Sequence, residues 1–170
     1  MTRKIYVDSN ILIAYFTTGV GAEKVRKRRI INAFKVISQL GDVKFYISMW
    51  TINEFVKVMI NEKRKLPKKI NKIANNLVQK AIIEKTELEI LGVCPDSEYT
   101  FNDFFYDVRE VMTLYNPGFG DAFHSVSMRN HSIKEILSLD GKDDFNIIPG
   151  ITVIPPATFV KPVLEISVSN

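Results

Sequence analysis

Four acids, each set at the end of an apolar run or at a helix boundary, constrain this chain more than any other feature. They are Asp8 after Ile5-Tyr6-Val7, Glu54 after Met49-Trp50-Thr51-Ile52-Asn53, Asp121 in Gly120-Asp121-Ala122, and Asp140 after Ile136-Leu137-Ser138-Leu139. An isolated charge in such surroundings is costly to bury unless something compensates it. Four anions brought together also repel one another, so a hard cation with oxygen ligands is the natural compensator. The pattern therefore asks for a fold that carries distant acids to one place, and it points to metal-assisted phosphate chemistry.

The segments between the acids alternate in type. Lys4 to Val7 reads as a buried strand, with Ser9 or Asn10 capping a helix through Phe16. A second helix is expected from about Glu23 to Leu40, with Val25, Ile30, Ala33, Phe34, Ile37 and Leu40 at helical spacing. Val43 to Ile47 is the next strand, and Ser48 caps a helix to about Asn61. Pro67 opens a helix to about Lys85. Leu88 to Val93 reads as a short strand. Asp96 or Ser97 would cap a helix ending at Asn116-Pro117-Gly118, Asp121 starts another through Asn130, and strands follow at Glu135–Leu139 and Ile151–Ile154. Strands separated by helices predict an α/β domain with a mostly parallel sheet over residues 1–156, with 157–170 a tail of unassigned structure. In open parallel sheets ligands bind beyond the carboxyl ends of the strands. Asp8 and Asp140 fall at such ends, Asp121 lies at a helix N-terminus, and Glu54 can reach back over the same edge.

Composition narrows the function classes. A chain of 170 residues with 46% hydrophobic and 25% charged residues is large enough for a proper core. One cysteine, Cys94, excludes an internal disulfide and reads as a small buried hydrophobe, and two histidines are too few for a structural zinc site. The longest apolar run, Ile11 to Phe16, is far short of a membrane span, and the N-terminus does not read as a signal peptide, so a cytoplasmic protein is expected. The net charge of +4 is unevenly spread. Lys24, Arg26, Lys27, Arg28 and Arg29 form one basic run; Lys63, Arg64, Lys65, Lys68, Lys69 and Lys72 form another. Either run is a solvated helix face or part of a rim that binds a polyanion, and the neighbouring acids favour the rim.

The ordered motifs resemble the PIN domain, and within it the VapC-type toxins of toxin–antitoxin systems. The resemblance rests on Val7-Asp8-Ser9-Asn10-Ile11-Leu12, Ser48 with Glu54, Gly120-Asp121-Ala122-Phe123-His124, and Ser138-Leu139-Asp140 followed by Asp144-Phe145. It implies a three-layer α/β/α sandwich and a Mg²⁺- or Mn²⁺-dependent ribonuclease. Asp8, Glu54, Asp121 and Asp140 would form the metal-binding acidic set, with Asn10 and Ser138 in support. The family's toxins usually form homodimers and are held inactive by an antitoxin. Two features depart from the family pattern: the segment Asp140-Gly141-Lys142-Asp143-Asp144-Phe145 is longer, leaving Asp143 and Asp144 open, and the approach to Asp121 is rich in glycine.

Plainer accounts stand beside these. Asp8 and Asp121 are acceptable helix-start residues, Glu54 a solvated helix residue, and Asp140 a turn residue. His124 reads as a hydrogen-bonded packing residue and His131 as a surface residue. Trp50, Phe101, Phe104 and Phe105 read as core or dimer contact. Three function classes fit: a metal-dependent endoribonuclease, a PIN-like RNA-binding or ribosome-associated protein with weak or lost catalysis, and a phosphoryl-accepting regulator built on Asp8.

Overall fold

The computed structural model describes residues 2–17, 21–39, 41–82, 88–139 and 145–159. Five strands form one sheet: β1 (Arg3–Val7), β2 (Val43–Ser48), β3 (Leu88–Leu91), β4 (Glu135–Leu137) and β5 (Thr152–Ile154). Their order is β3-β2-β1-β4-β5, and every neighbouring pair is parallel. β1 lies at the centre, where Ile5, Tyr6 and Val7 are fully or nearly fully buried. Being covered on both faces, it reads as a continuous apolar run rather than an alternating one.

The period-2 geometry of the strands sorts their side chains onto two faces. Ile5, Val7, Phe45, Ile47 and Leu137 pack with Ile11, Ile30, Ala33, Ile37, Phe55 and Ile70 from the helices on one side. Those helices are α1 (Ser9–Phe16), α2 (Ala22–Gln39), α3 (Met49–Lys57) and α4 (Pro67–Ile82). Tyr6, Tyr46 and Ile136 face the other way, against Met128 and Phe145. There α6 (Phe119–Asn130) lies on the sheet, and α5 (Phe101–Tyr115) covers α6 through Phe104, Val108, Val111, Phe123 and Val126. The result is the expected α/β/α sandwich. Because α6 is enclosed, Ser125 and Ser127 turn their hydroxyls back to the carbonyls of Asp121 and Phe123.

Several boundaries differ from the sequence reading. α3 continues as a π-helical turn, Val58–Glu62, before the chain leaves at Arg64 with φ +48°. α5 starts at Phe101 rather than near Asp96. The Asp96 carboxylate instead accepts from the backbone N–H of Glu98 and Tyr99, closing a turn, and Thr100 takes over as cap with Asp103 as its reciprocal partner. α6 starts two residues before Asp121, which sits in its first turn. β4 and β5 are shorter than expected. Val25 is half exposed instead of joining the buried stripe of α2, and Cys94 is exposed, since the segment after β3 runs over the surface. His131 caps the C-terminal end of α6, half-buried, with Nε2 2.9 Å from the Gly92 carbonyl. The tail begins in a 3₁₀ turn, Pro156–Phe159, packed on α2; Leu40, Lys85 and the tail beyond Phe159 lie outside the described residues.

The α5 cap bonds join Thr100 to Asp103 alone, so Thr100→Ala is expected to lower unfolding free energy by about 1 kcal/mol, read by denaturant melts, without altering ligand binding.

Candidate functional site

The sheet order reverses direction at β1: the chain moves from β1 outward to β2 and β3, then returns to the other side for β4 and β5. Such a reversal leaves a crevice beyond the carboxyl ends of the central strands. Asp8 and Ser138 are the residues that follow β1 and β4, so both stand at that crevice.

Asp8 is 5% exposed. Its Oδ2 accepts hydrogen bonds from Asn10 Nδ2 at 2.8 Å and Ser138 Oγ at 2.7 Å, and its Oδ1 from Ser9 Oγ at 3.3 Å. Asn10 Nδ2 also donates to Ser138 Oγ at 3.0 Å, while its Oδ1 accepts from the Leu139 N–H at 3.1 Å. This amide thus staples the segment after β4 to the start of α1 and orients Asp8 between them. Hydrogen bonds to a charged acceptor are worth about 1.5–3 kcal/mol net, which offsets much of the cost of burying the carboxylate. As N-cap of α1, Asp8 makes no capping hydrogen bond with its side chain, so its carboxylate is held for something other than helix capping.

Glu54 arrives from α3. Ser48 caps that helix, its hydroxyl accepting from the Thr51 N–H at 3.2 Å, and this fixes the phase in which Ile52 and Phe55 are buried and Glu54 faces the crevice. Glu54 Oε2 lies 2.9 Å from Nε2 of His124, which is 1% exposed. Burial alone raises the Glu54 pKa. The hydrogen bond and electrostatic attraction of His124, with smaller help from Trp50 and Ser9, outweigh that and leave it lowered, so Glu54 is ionised at neutral pH. Tyr6 is pushed up chiefly by its burial, against the hydrogen bonds of Ser48 and Thr51, with both Asp8 and Glu54 adding to the rise. The Tyr6 ring therefore lies in the field of both acids.

Asp121 sits in the first turn of α6, where the helix dipole favours an anion. One turn of backbone brings this helix against Glu54. A Cβ added to Gly120 would stand 2.6 Å from Glu54 Oε1, and one on Gly118 would stand 3.3 Å from Asp121 Oδ2. The glycines ahead of Asp121, a departure from the family pattern, are the cradle into which Glu54 fits. Their role is hidden in the sequence, because the close approach joins residues 66 positions apart.

Asp8 thus stands at the crevice, braced by Asn10 and Ser138, and Glu54 meets the start of α6 at Gly120, one residue before Asp121. Asp140, Asp143 and Asp144 lie outside the described residues. Among the described residues, no three His, Cys, Asp or Glu side chains are gathered into a group that could hold a metal ion. The donor set itself is made of oxygens, which fits Mg²⁺ or Mn²⁺ rather than a softer metal.

The basic residues divide. Arg26, Arg29 and Lys63 line a groove of about 600 Å³ that also takes in Asn10, Leu139 and Pro155. Lys63 lies 3.8 Å from Glu23, which ties the two basic runs together. Lys24, Arg28, Arg64, Lys68 and Lys69 are exposed but outside that lining, and Lys27 lies over the Tyr15 ring, 5.6 Å from its centre. Phe104 is fully buried, whereas Phe101 and Phe105 are 56% and 38% exposed, so only the first is core.

No protein-family model matches the sequence, and no curated protein matches it significantly. Solved structures share the fold. The crystal structure of VapC20 from Mycobacterium tuberculosis, a toxin that cleaves the sarcin–ricin loop, superposes with a TM-score of 0.56 at 18% identity, covering 84% of this chain and 92% of that one. VapBC2 from Rickettsia felis, bound to a DNA fragment from its promoter, superposes with a TM-score of 0.59 at 13% identity, covering 89% and 98%. The fold is the PIN-like α/β/α fold of VapC toxins, as the motifs led one to expect.

Gly120→Ala tests the cradle. The clash falls on the tip of the Glu54 side chain, so the helix propensity gained is offset by the disturbed His124 contact and stability should change by about 1 kcal/mol or less, while Mn²⁺ affinity measured by calorimetry should fall about tenfold or more as Glu54 is displaced.

Proposed function

We propose that the protein is a divalent-metal-dependent endoribonuclease of VapC type, the toxin of a toxin–antitoxin pair, acting in the cytoplasm. The observation that carries this reading is the Asp8 carboxylate, buried at the switch point of a VapC-like sheet and clamped by Asn10 and Ser138 with Glu54 alongside. Asp8, Glu54, Asp121 and Asp140 are assigned to hold Mg²⁺ or Mn²⁺. Bound there, the ion would activate a water for in-line attack at phosphorus and offset charge on the departing oxygen.

The remaining work falls to the chain. Asn10 and Ser138 hold Asp8 in one orientation, so that its lone pairs are presented without a rotamer search. Glu54 and Asp121 are assigned to supply further negative charge to the ion. Arg26, Arg29 and Lys63 are assigned to the substrate backbone, since their groove opens from Asn10 and phosphates favour such a basic wall. The sarcin–ricin loop cleaved by VapC20 makes a looped or single-stranded RNA the substrate class of choice. The VapBC2 complex supports an antitoxin partner. A homodimer belongs to the same reading, supported by the exposed aromatic strip of Phe101, Phe105 and Phe119. Among the described residues, no helix is long and apolar enough to cross a membrane.

Asp8→Asn is the direct test. Cleavage of RNA in Mg²⁺ or Mn²⁺ should fall by more than about 100-fold, and growth arrest on expression should be relieved. Unchanged cleavage rejects the assignment, and cleavage absent from the wild type favours an RNA-binding protein without catalysis.

Replacing Arg26, Arg29 and Lys63 together by alanine should weaken RNA binding at low salt. It should also flatten the plot of log affinity against log salt by about 2, at roughly 0.7 per lost phosphate contact on a single strand. An unchanged slope removes the groove from the substrate path.

A further inference from the structure

His124 is more than a packing residue. Both of its ring nitrogens are engaged, Nε2 with Glu54 Oε2 at 2.9 Å and Nδ1 with the Tyr6 hydroxyl at 2.8 Å. Tyr6, fully buried on the central strand, has its hydroxyl 2.7 Å from Ser48 Oγ and 2.9 Å from Thr51 Oγ1. Ser48 and Thr51 form the capping box of α3, the helix that carries Glu54. The hydrogen bonds therefore close a loop: from the helix cap through Tyr6 to His124, and from His124 back to Glu54 six residues after that cap.

We infer that His124, braced by Tyr6, is the positioning residue that fixes the Glu54 carboxylate for a divalent cation. The inference rests on the reading of the acids as a cation site. Glu54 is 25% exposed and has a long, rotatable side chain, so without a fixed partner its carboxylate would sweep the crevice. His124 is 1% exposed and cannot itself reach bulk water. It holds Oε2, while the Gly120 backbone limits where Oε1 can go. Glu54 is an acceptor only, so the Nε2–H of His124 is the donor to it. Buried polar groups of this kind, joined without a gap, specify one geometry.

The test measures Mn²⁺ affinity of the RNA-free protein by calorimetry, beside its melting temperature. His124→Ala should raise the Mn²⁺ dissociation constant about 10- to 100-fold, the range expected when a partner that orients a ligand is removed. His124→Gln, whose amide can still donate to Glu54, should recover part of that loss. Tyr6→Phe removes one hydroxyl and keeps the ring, so it carries the test if His124→Ala does not fold; it should weaken Mn²⁺ binding by a smaller factor. Adding His124→Ala to Glu54→Gln should cost little further affinity, because the carboxylate that His124 positions is then already lost as a ligand. A purely structural role would lower the melting temperature and leave the Mn²⁺ affinity of the folded variants at the wild-type value, and that result overturns the inference. So does a double variant whose loss is the product of the two single losses. A wild type that cleaves RNA and binds Mn²⁺ alongside insensitive variants overturns the positioning role alone. A wild type that neither binds Mn²⁺ nor cleaves RNA overturns the nuclease reading and this inference with it.

Discussion

The buried carboxylate of Asp8 is the constraint around which the rest is arranged. A charge 5% exposed at the end of the central strand requires donors on several sides, and these come from different parts of the chain: Ser9 and Asn10 just after it, and Ser138 130 residues later. Bringing Ser138 to Asp8 demands that β4 lie directly beside β1, which the register Val7 to Leu137 achieves. That adjacency, with β2 on the opposite side, creates the crevice. The geometry of the sheet and the solvation of one anion are thus the same requirement seen at two scales.

A second coupling joins helices on opposite faces of the sheet. α3 packs on the side of Ile5 and Val7, and α6 on the side of Tyr6, yet Glu54 of α3 is received by Gly120 and His124 of α6. Tyr6 passes the contact through the sheet layer, since its hydroxyl reaches both the α3 cap and the α6 histidine. The two layers therefore cannot slide past each other without breaking a buried hydrogen bond, which costs about 1–3 kcal/mol for each group left unpaired. Precision at the acids comes from this linkage across layers rather than from either helix alone.

The parts of this arrangement that depend on local sequence are legible in the sequence itself. Val7-Asp8 reads as a strand end because apolar residues run straight into an acid, Ser48 reads as a cap because a hydroxyl precedes an amphipathic stretch, and Asn116-Pro117 ends a helix because Asn tolerates the left-handed φ of +54° found there. The start of α5 was not legible. Asp96 and Thr100 are both good caps, and only the competing turn closed by the Asp96 side chain decides between them. The Gly120 cradle, the Tyr6–His124–Glu54 chain and the division of the basic residues were hidden for a different reason. Each depends on contacts between segments remote in sequence, and a residue type at one position carries no mark of its distant partner. His124 is the clear instance: one histidine on a helix face reads as packing, and only the carboxylate on Nε2 and the phenol on Nδ1 give it another meaning.

The charge pattern around the crevice argues for how a polyanion would lie across it. Asp8 stands beside Asn10, and its carboxylate repels an approaching phosphate unless a cation intervenes. Arg26, Arg29 and Lys63 line the groove that also takes in Asn10, where a phosphate is attracted without one. A substrate that bridged the two zones would have flanking phosphates anchored by Coulomb attraction and one phosphate drawn against the acids only when a divalent ion is shared between them. Binding and reaction would then answer to different parts of the surface, the first to salt and the second to the metal. On the proposed reading, that separation would let the chain hold RNA by its backbone and yet cut at one bond.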